Sequence, residues 1–288
     1  MRDFDEASIT TAVLASLSHA RTERGREISE ALVRHLHAFI RELKLTFEEW
    51  EAGIALLTRT GQMCNAKRQE FVLLSDALGV SMLVDAINHP SSQDITESTV
   101  LGPFYFKAAP ERDSGADISE GVEGESMLVT GVISSADGTP IEGATINVWH
   151  SDGDGNYDVQ LPRLAHTSSM RACFRSDMHG AFHFLTIRPA AYPIPHDGPV
   201  GEMLEAQGRH PWRPAHVHFL IDKPGFCKLV TQVFISGDRY LDSDVVFGVK
   251  ENLIVKLKHY DGRPPVPGIP RDEGCWHLHY AFRLKPGG

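Results

Sequence analysis

The chain has 288 residues, enough for one large domain or two modest ones. Its 42% apolar and 23% charged residues are ordinary for a globular protein, and a formal net charge of -10 argues against broad binding to nucleic acid or anionic membranes. The opening MRDFDEASIT is too acidic for a signal peptide and no apolar run reaches the roughly 20 residues of a membrane span, so a soluble cytoplasmic protein is expected.

Residues 7 to about 88 read as helical. ISEALVRHLHAFIRELKL (28–45) places Leu32, Leu36, Phe39, Ile40 and Leu43 on one stripe at three- and four-residue steps. TFEEWEAGIALLTRTGQM (46–63) opens with Thr46 and Glu49 as a capping box, and Gly61 is a stop signal. KRQEFVLLSDALGVSMLVDAI (67–87) keeps the period with an interruption near Gly79. The texture changes after the connector NHPSSQDITESTVLGPFY (88–105), which sets a boundary between 1–98 and 99–288. In SMLVTGVISSADGTPIEGATINVWH (126–150), two strands are joined by the turn Asp137-Gly138-Thr139-Pro140. Further strands are expected at 171–176, 180–187, 215–222, 229–236, 252–258 and 275–284, with DGRPPVPGIP (261–270) as a loop. The fold class is mixed and mainly β, an antiparallel β-sandwich preceded by an α-helical domain. The dispersed Cys64, Cys173, Cys227 and Cys275 form no CxxC pair and read as reduced, mostly buried thiols.

RPAHVHF (213–219) raises the chemical question. Side chains alternate along a strand, so His216 and His218 share a face and can converge on one metal ion. The same spacing occurs at His35/His37 and His277/His279. On a helix the first of these pairs lies about 200° apart and cannot clasp an ion; the second also reads as a strand and stays a rival. Two of the six tyrosines sit in segments that resist a packing explanation: Tyr157 in WHSDGDGNYDVQ (149–160) and Tyr192 in the proline-dense IRPAAYPIPHDGPV (187–200). A bound cation can strip a phenol of its proton, and the resulting hard anionic oxygen suits a hard ion such as Fe(III). His179 and His183 read as structural, and His150 as a packing residue or a neighbour of the site. The acidic DGDG (152–155) lacks the later Glu of a calcium loop and reads as a solvated turn.

INVWHSDGDGNYD, RSDMHGAFHFLTIRPAAYPIP and GRHPWRPAHVHFLI, in this order and spacing, resemble the signature segments of the intradiol ring-cleavage dioxygenases. The resemblance implies one Fe(III) per subunit, held by Tyr157, Tyr192, His216 and His218, with Tyr192 as the axial phenolate that leaves when substrate binds. It implies that Arg213 lies beside the substrate ring, with Gln232 in the same cavity, and that Arg213, Tyr192 and Gln232 serve catalysis. The helical region is similar to the dimer-forming domain of the catechol 1,2-dioxygenase branch, which implies a homodimer and, as in relatives, a lipid bound between the helices. The substrate would be a small aromatic diol or triol, cleaved with O2 between the two hydroxyl-bearing carbons to a muconate-type dicarboxylic acid. The implied pocket comprises Leu73, Asp76, Val100, Leu101, Gly102, Pro103, Ile194, Pro195, Arg213 and Val246. Relatives acting on plain catechol carry an apolar residue near the position of Asp76, whereas an acid there can accept a hydrogen bond from a third hydroxyl. Hydroxyquinol (benzene-1,2,4-triol) is therefore the expected substrate, with catechol or chlorocatechols as runner-up. GTPIEGATINVW also resembles non-catalytic β-sandwich binding modules, a reading under which the purified protein would be colourless and inert.

Overall fold

The computed structural model describes residues 3–65, 68–90, 92, 94–107, 109–161, 164, 168–262 and 274–287. By packing, the chain divides between Arg59 and Thr60. The division expected at 98/99 follows the change of secondary structure, while the packing boundary falls ahead of it.

In the first unit, α1 (Ile9–Ser16) and α2 (Glu23–Leu43) pack together, with Arg41 Nη2 donating to Thr10 Oγ1 at 2.7 Å. Helix α2 starts five residues before the segment 28–45 that carries the apolar stripe because Thr22 caps it, its hydroxyl oxygen accepting from Gly25 N at 3.0 Å. Leu32, Leu36, Phe39, Ile40 and Leu43 are all exposed. Helix α3 (Phe47–Gln62) opens on the expected reciprocal cap: Glu49 N donates to Thr46 Oγ1 and Thr46 N to Glu49 Oε2.

In the second unit, α4 (Glu70–Ala77) and α5 (Val80–Asn88) are separated at Gly79, whose φ of 72° lies in the left-handed region that glycine enters without strain. Three sheets follow. Strands β1 (Ser126–Ser135), β4 (Ala181–Ile187), β10 (Lys258–Tyr260) and β11 (Cys275–Leu284) form one, in the order β10-β11-β1-β4. Strands β2 (Thr145–His150), β3 (Arg171–Arg175), β7 (His216–Asp222), β8 (Leu229–Ile235) and β9 (Ile254–Val255) form the second, in the order β3-β2-β7-β8-β9. A short ribbon pairs β5 (Tyr192–Pro193) with β6 (Trp212–Arg213).

The two larger sheets face each other across a core of Met127, Val129, Phe182, Phe184, Ile146, Val148, Val217, Phe219, Val233 and Phe282. Most pairings are antiparallel, but β1–β11 and β8–β9 run parallel. The 137–140 turn does not close a hairpin: it carries the chain from β1 in one sheet to β2 in the other. The strand expected at 252–258 breaks into a 3-10 turn (Glu251–Leu253) and the two-residue β9. Of the four cysteines expected to be mostly buried, Cys173 and Cys275 are buried, Cys64 is half-buried and Cys227 is exposed. Residues 263–270 of the proline-rich loop lie outside the described residues. Among the described residues no helix is long and apolar enough to cross a membrane.

Candidate active site

Strand alternation builds the site. In β7, Val217, Phe219 and Ile221 enter the inter-sheet core, which turns His216 and His218 to the opposite face. Register then sets their neighbours: Trp149 of β2 and Gln232 of β8 both lie opposite His218. The ribbon places Tyr192 opposite Arg213. Tyr157 arrives from the loop after β2 and heads a 3-10 turn (Asp158–Gln160). All seven of these site side chains are buried.

The imidazole Nε2 atoms of His216 and His218 lie 3.0 Å apart, and His218 Nε2 is 3.2 Å from the Tyr157 hydroxyl. The Tyr192 ring completes the group, its centroid 5.2 Å from that of Tyr157 and 5.5 Å from that of His216. His216 donates from Nδ1 to Pro214 O at 2.7 Å, which fixes the tautomer with a lone pair on Nε2. Burial pushes His216 down to about 3 and His218 well below the usual range, so both rings are neutral at physiological pH. Burial also pushes the Tyr157 phenol well above its ordinary value. Ionising it here requires a strong positive charge at its oxygen. Two neutral imidazole nitrogens and a buried phenol oxygen meeting at one point suit such a cation. Among the described residues no three His, Cys, Asp or Glu side chains are placed to share an ion, so the tyrosines are essential to this donor set.

Trp149 stacks on His218 with ring centroids 4.6 Å apart and 12° between planes. Phe104 stacks on Tyr157 at 4.3 Å, and Gly102 leaves room for His218, whose Cε1 would lie 3.2 Å from a Cβ at that position. Arg213 donates through Nε and Nη2 to Asp244 at 2.9 and 3.0 Å, through Nη2 to Gln232 Oε1 at 2.7 Å, and through Nη1 to His216 Nε2 at 3.3 Å. Gln232 Nε2 in turn donates to Val100 O at 2.7 Å.

Leu73, Val100, Ile194 and Val246 share one apolar cluster with residues of α4 and of α6 (Pro199–Ala206). Leu73, Pro103, Ile194 and Pro195 line a cleft of about 700 Å³. Asp76 is buried rather than solvated; burial raises its carboxyl pKa, opposed by the Ser81 hydroxyl and the charge of Arg213. Leu101 is the most exposed residue of the implied pocket. Asp152 of the acidic loop is likewise buried, its carboxylate accepting from Asp154 N and Asn156 N, so the loop is held by its own backbone. The rival pair His277 and His279 is engaged otherwise: both rings hydrogen-bond the Thr130 hydroxyl, at 2.9 and 2.8 Å. His150 is a buried residue hydrogen-bonded to Ser151 O and Thr186 Oγ1.

Residues 100–286 match the family described as Dioxygenase, and residues 22–96 match that described as Catechol dioxygenase N terminus. The chain belongs to the intradiol ring-cleavage dioxygenase family. Among these dioxygenases it is 52% identical to the 6-chlorohydroxyquinol 1,2-dioxygenase of Cupriavidus pinatubonensis, over 99% of each chain. It is 45% identical to the hydroxyquinol 1,2-dioxygenase of Nocardioides simplex, covering 98% of this chain and 96% of that one. The solved hydroxyquinol 1,2-dioxygenase of Pseudomonas putida superposes with a TM-score of 0.90 at 44% identity, covering 98% of this chain and 99% of that chain.

Within this intradiol dioxygenase the sequence pattern missed Asp244, the carboxylate partner of Arg213, because nothing in DSDVVFG marks that aspartate over its neighbours. It also missed the buried pair Arg171–Asp158, whose arginine donates to Asp158 Oδ2 at 2.6 Å and to Phe104 O at 3.0 Å. That pair braces both the turn after Tyr157 and the segment carrying the ring stacked on it. Asp158→Ala is expected to destabilise the fold by about 3–5 kcal/mol, since it strands a buried guanidinium. Denaturant titration of the purified variant measures this; a midpoint equal to that of the parent would show the pair to be dispensable.

Proposed function

We propose that the protein cleaves hydroxyquinol with O2 between its two ortho hydroxyl-bearing carbons, giving a hydroxymuconate or maleylacetate product, with one ferric ion held by Tyr157, Tyr192, His216 and His218. Bound there, the ion would supply a Lewis-acid centre that takes the diol as a chelate and acidifies its hydroxyls. Tyr192, on the short ribbon, would hold the ion with the other three residues, and its oxygen would take up a proton from the incoming substrate. Tyr157 and the histidines, braced by Phe104 and Trp149, stay in place. Arg213 presents Nη1 to the ring and stabilises negative charge that develops on it. Gln232 ties Arg213 to the Val100 carbonyl and keeps the connector against the site.

The observation that carries the choice of substrate is the burial of Asp76 near Arg213. A buried carboxyl that can accept a further hydrogen bond beside that of the Ser81 hydroxyl favours a ring with a third hydroxyl. The names of the relatives agree with this reading. The exposed apolar stripe of α2 supports a homodimer through the N-terminal helices, where a lipid could also be held.

Oxygen uptake by iron-replete enzyme over hydroxyquinol, 6-chlorohydroxyquinol, catechol and chlorocatechols tests the assignment. The triols are expected to give the highest kcat/KM. A preference for catechol would return the runner-up, and a colourless protein that stays inert after iron loading would favour a binding module.

A further inference from the structure

Arg213 has five N–H groups, and the structure shows where they are committed. Nε and Nη2 are directed at Asp244 and Gln232, so Nη1 is the terminal nitrogen left facing the imidazoles. A guanidinium is planar, and fixing Nε and Nη2 fixes the direction of Nη1. Asp244 is itself held by its own turn: its carboxylate accepts from Gly248 N at 2.9 Å and Val246 N at 3.3 Å, and its carbonyl accepts from Phe247 N at 3.0 Å. Phe247 takes a φ of 59°, which an aromatic residue adopts only under tertiary constraint. Its ring lies under Arg209 at 5.1 Å and against Gly79, where a Cβ would lie 3.3 Å from Phe247 Cδ2. Gly79 N in turn donates to the Asp76 carbonyl at 3.0 Å. Gly248 is packed tightly as well: a Cβ there would lie 2.8 Å from Arg213 Nη2 and 3.0 Å from Thr99 Oγ1.

We infer that Asp244 is the positioning residue that aims Arg213 at the substrate ring, and that the bare backbone at Gly248 lets the guanidinium sit where Asp244 holds it. Through Phe247 the same turn also packs against Gly79, which follows the helix that carries Asp76. The inference rests on the proposed role of Arg213.

The test is a double-mutant cycle on the iron-loaded enzyme, comparing Asp244→Asn, Arg213→Met and the double variant, with Gly248→Ala in both the parent and the Arg213→Met background. Iron content and the substrate-free visible charge-transfer band report the metal site independently of turnover. Asp244→Asn and Gly248→Ala are each expected to lower kcat at least tenfold with KM, iron content and band little changed, the pattern of a lost transition-state interaction. In the Arg213→Met background each change is expected to cost less than about twofold, as for partners acting through one group. A loss of the same size in both backgrounds would overturn the role of Asp244 while leaving that of Arg213 intact. Wild-type kcat in Arg213→Met would overturn the Arg213 reading itself. Should Asp244→Asn fail to fold, Gly248→Ala, which removes no charge, decides: parent-like kcat in that variant overturns the inference.

Discussion

Tyr157→Phe is expected to remove turnover and to leave the purified protein with far less iron than one ion per chain. The change deletes one oxygen and little else. The ring is fully buried, stacked on Phe104 at 4.3 Å and set edge-on to Tyr192, so a phenylalanine keeps its shape and contacts. What disappears is the oxygen 3.2 Å from His218 Nε2, the atom that anionic donation requires. Iron analysis, the visible spectrum and oxygen uptake on one preparation measure the outcome together. Normal iron content with unchanged activity would refute the role of Tyr157.

Asp76→Ala is expected to change selectivity more than stability. The ratio of kcat/KM for hydroxyquinol over catechol should fall by about ten- to a hundredfold, a hydrogen bond to a charged group being worth about 1.5–3 kcal/mol. Leu73, three residues earlier on α4, belongs to the apolar cluster of Val100, Ile194 and Val246, and Asp76 is buried on the same helix. Removing it should cost the triol and favour the ring that brings no third hydroxyl. Steady-state oxygen uptake with both substrates gives the ratio, and an unchanged value would eliminate Asp76 as the determinant.

Much of this arrangement was legible because it depends on local periodicity. The two-residue spacing of His216 and His218 puts them on one face of β7 whatever surrounds them, and the capping pair Thr46/Glu49 acts within one turn of helix. The parallel pairing of β1 with β11 was not legible, since it joins segments about 150 residues apart and no local pattern encodes it. The same holds for Asp244, which reaches Arg213 across 31 positions, and for Asp158, which differs from its acidic neighbours only in meeting Arg171. The acidic loop is the turn expected, with Asp154 exposed, but Asp152 is buried because its carboxylate turns back onto the loop's own backbone N–H groups, a contact that composition does not mark.

The strand register divides the rings around the pocket into two mechanical classes. His216 and His218 sit on the central strand of a five-stranded sheet, their backbone laddered on both sides. Tyr192 sits on a ribbon of only two residue pairs, with Pro193 beside it in that ribbon and Pro195 just beyond. Under the proposed function, the phenol that yields to substrate is thus carried by the smallest sheet of the fold, and substitutions in that ribbon would retune how readily it yields.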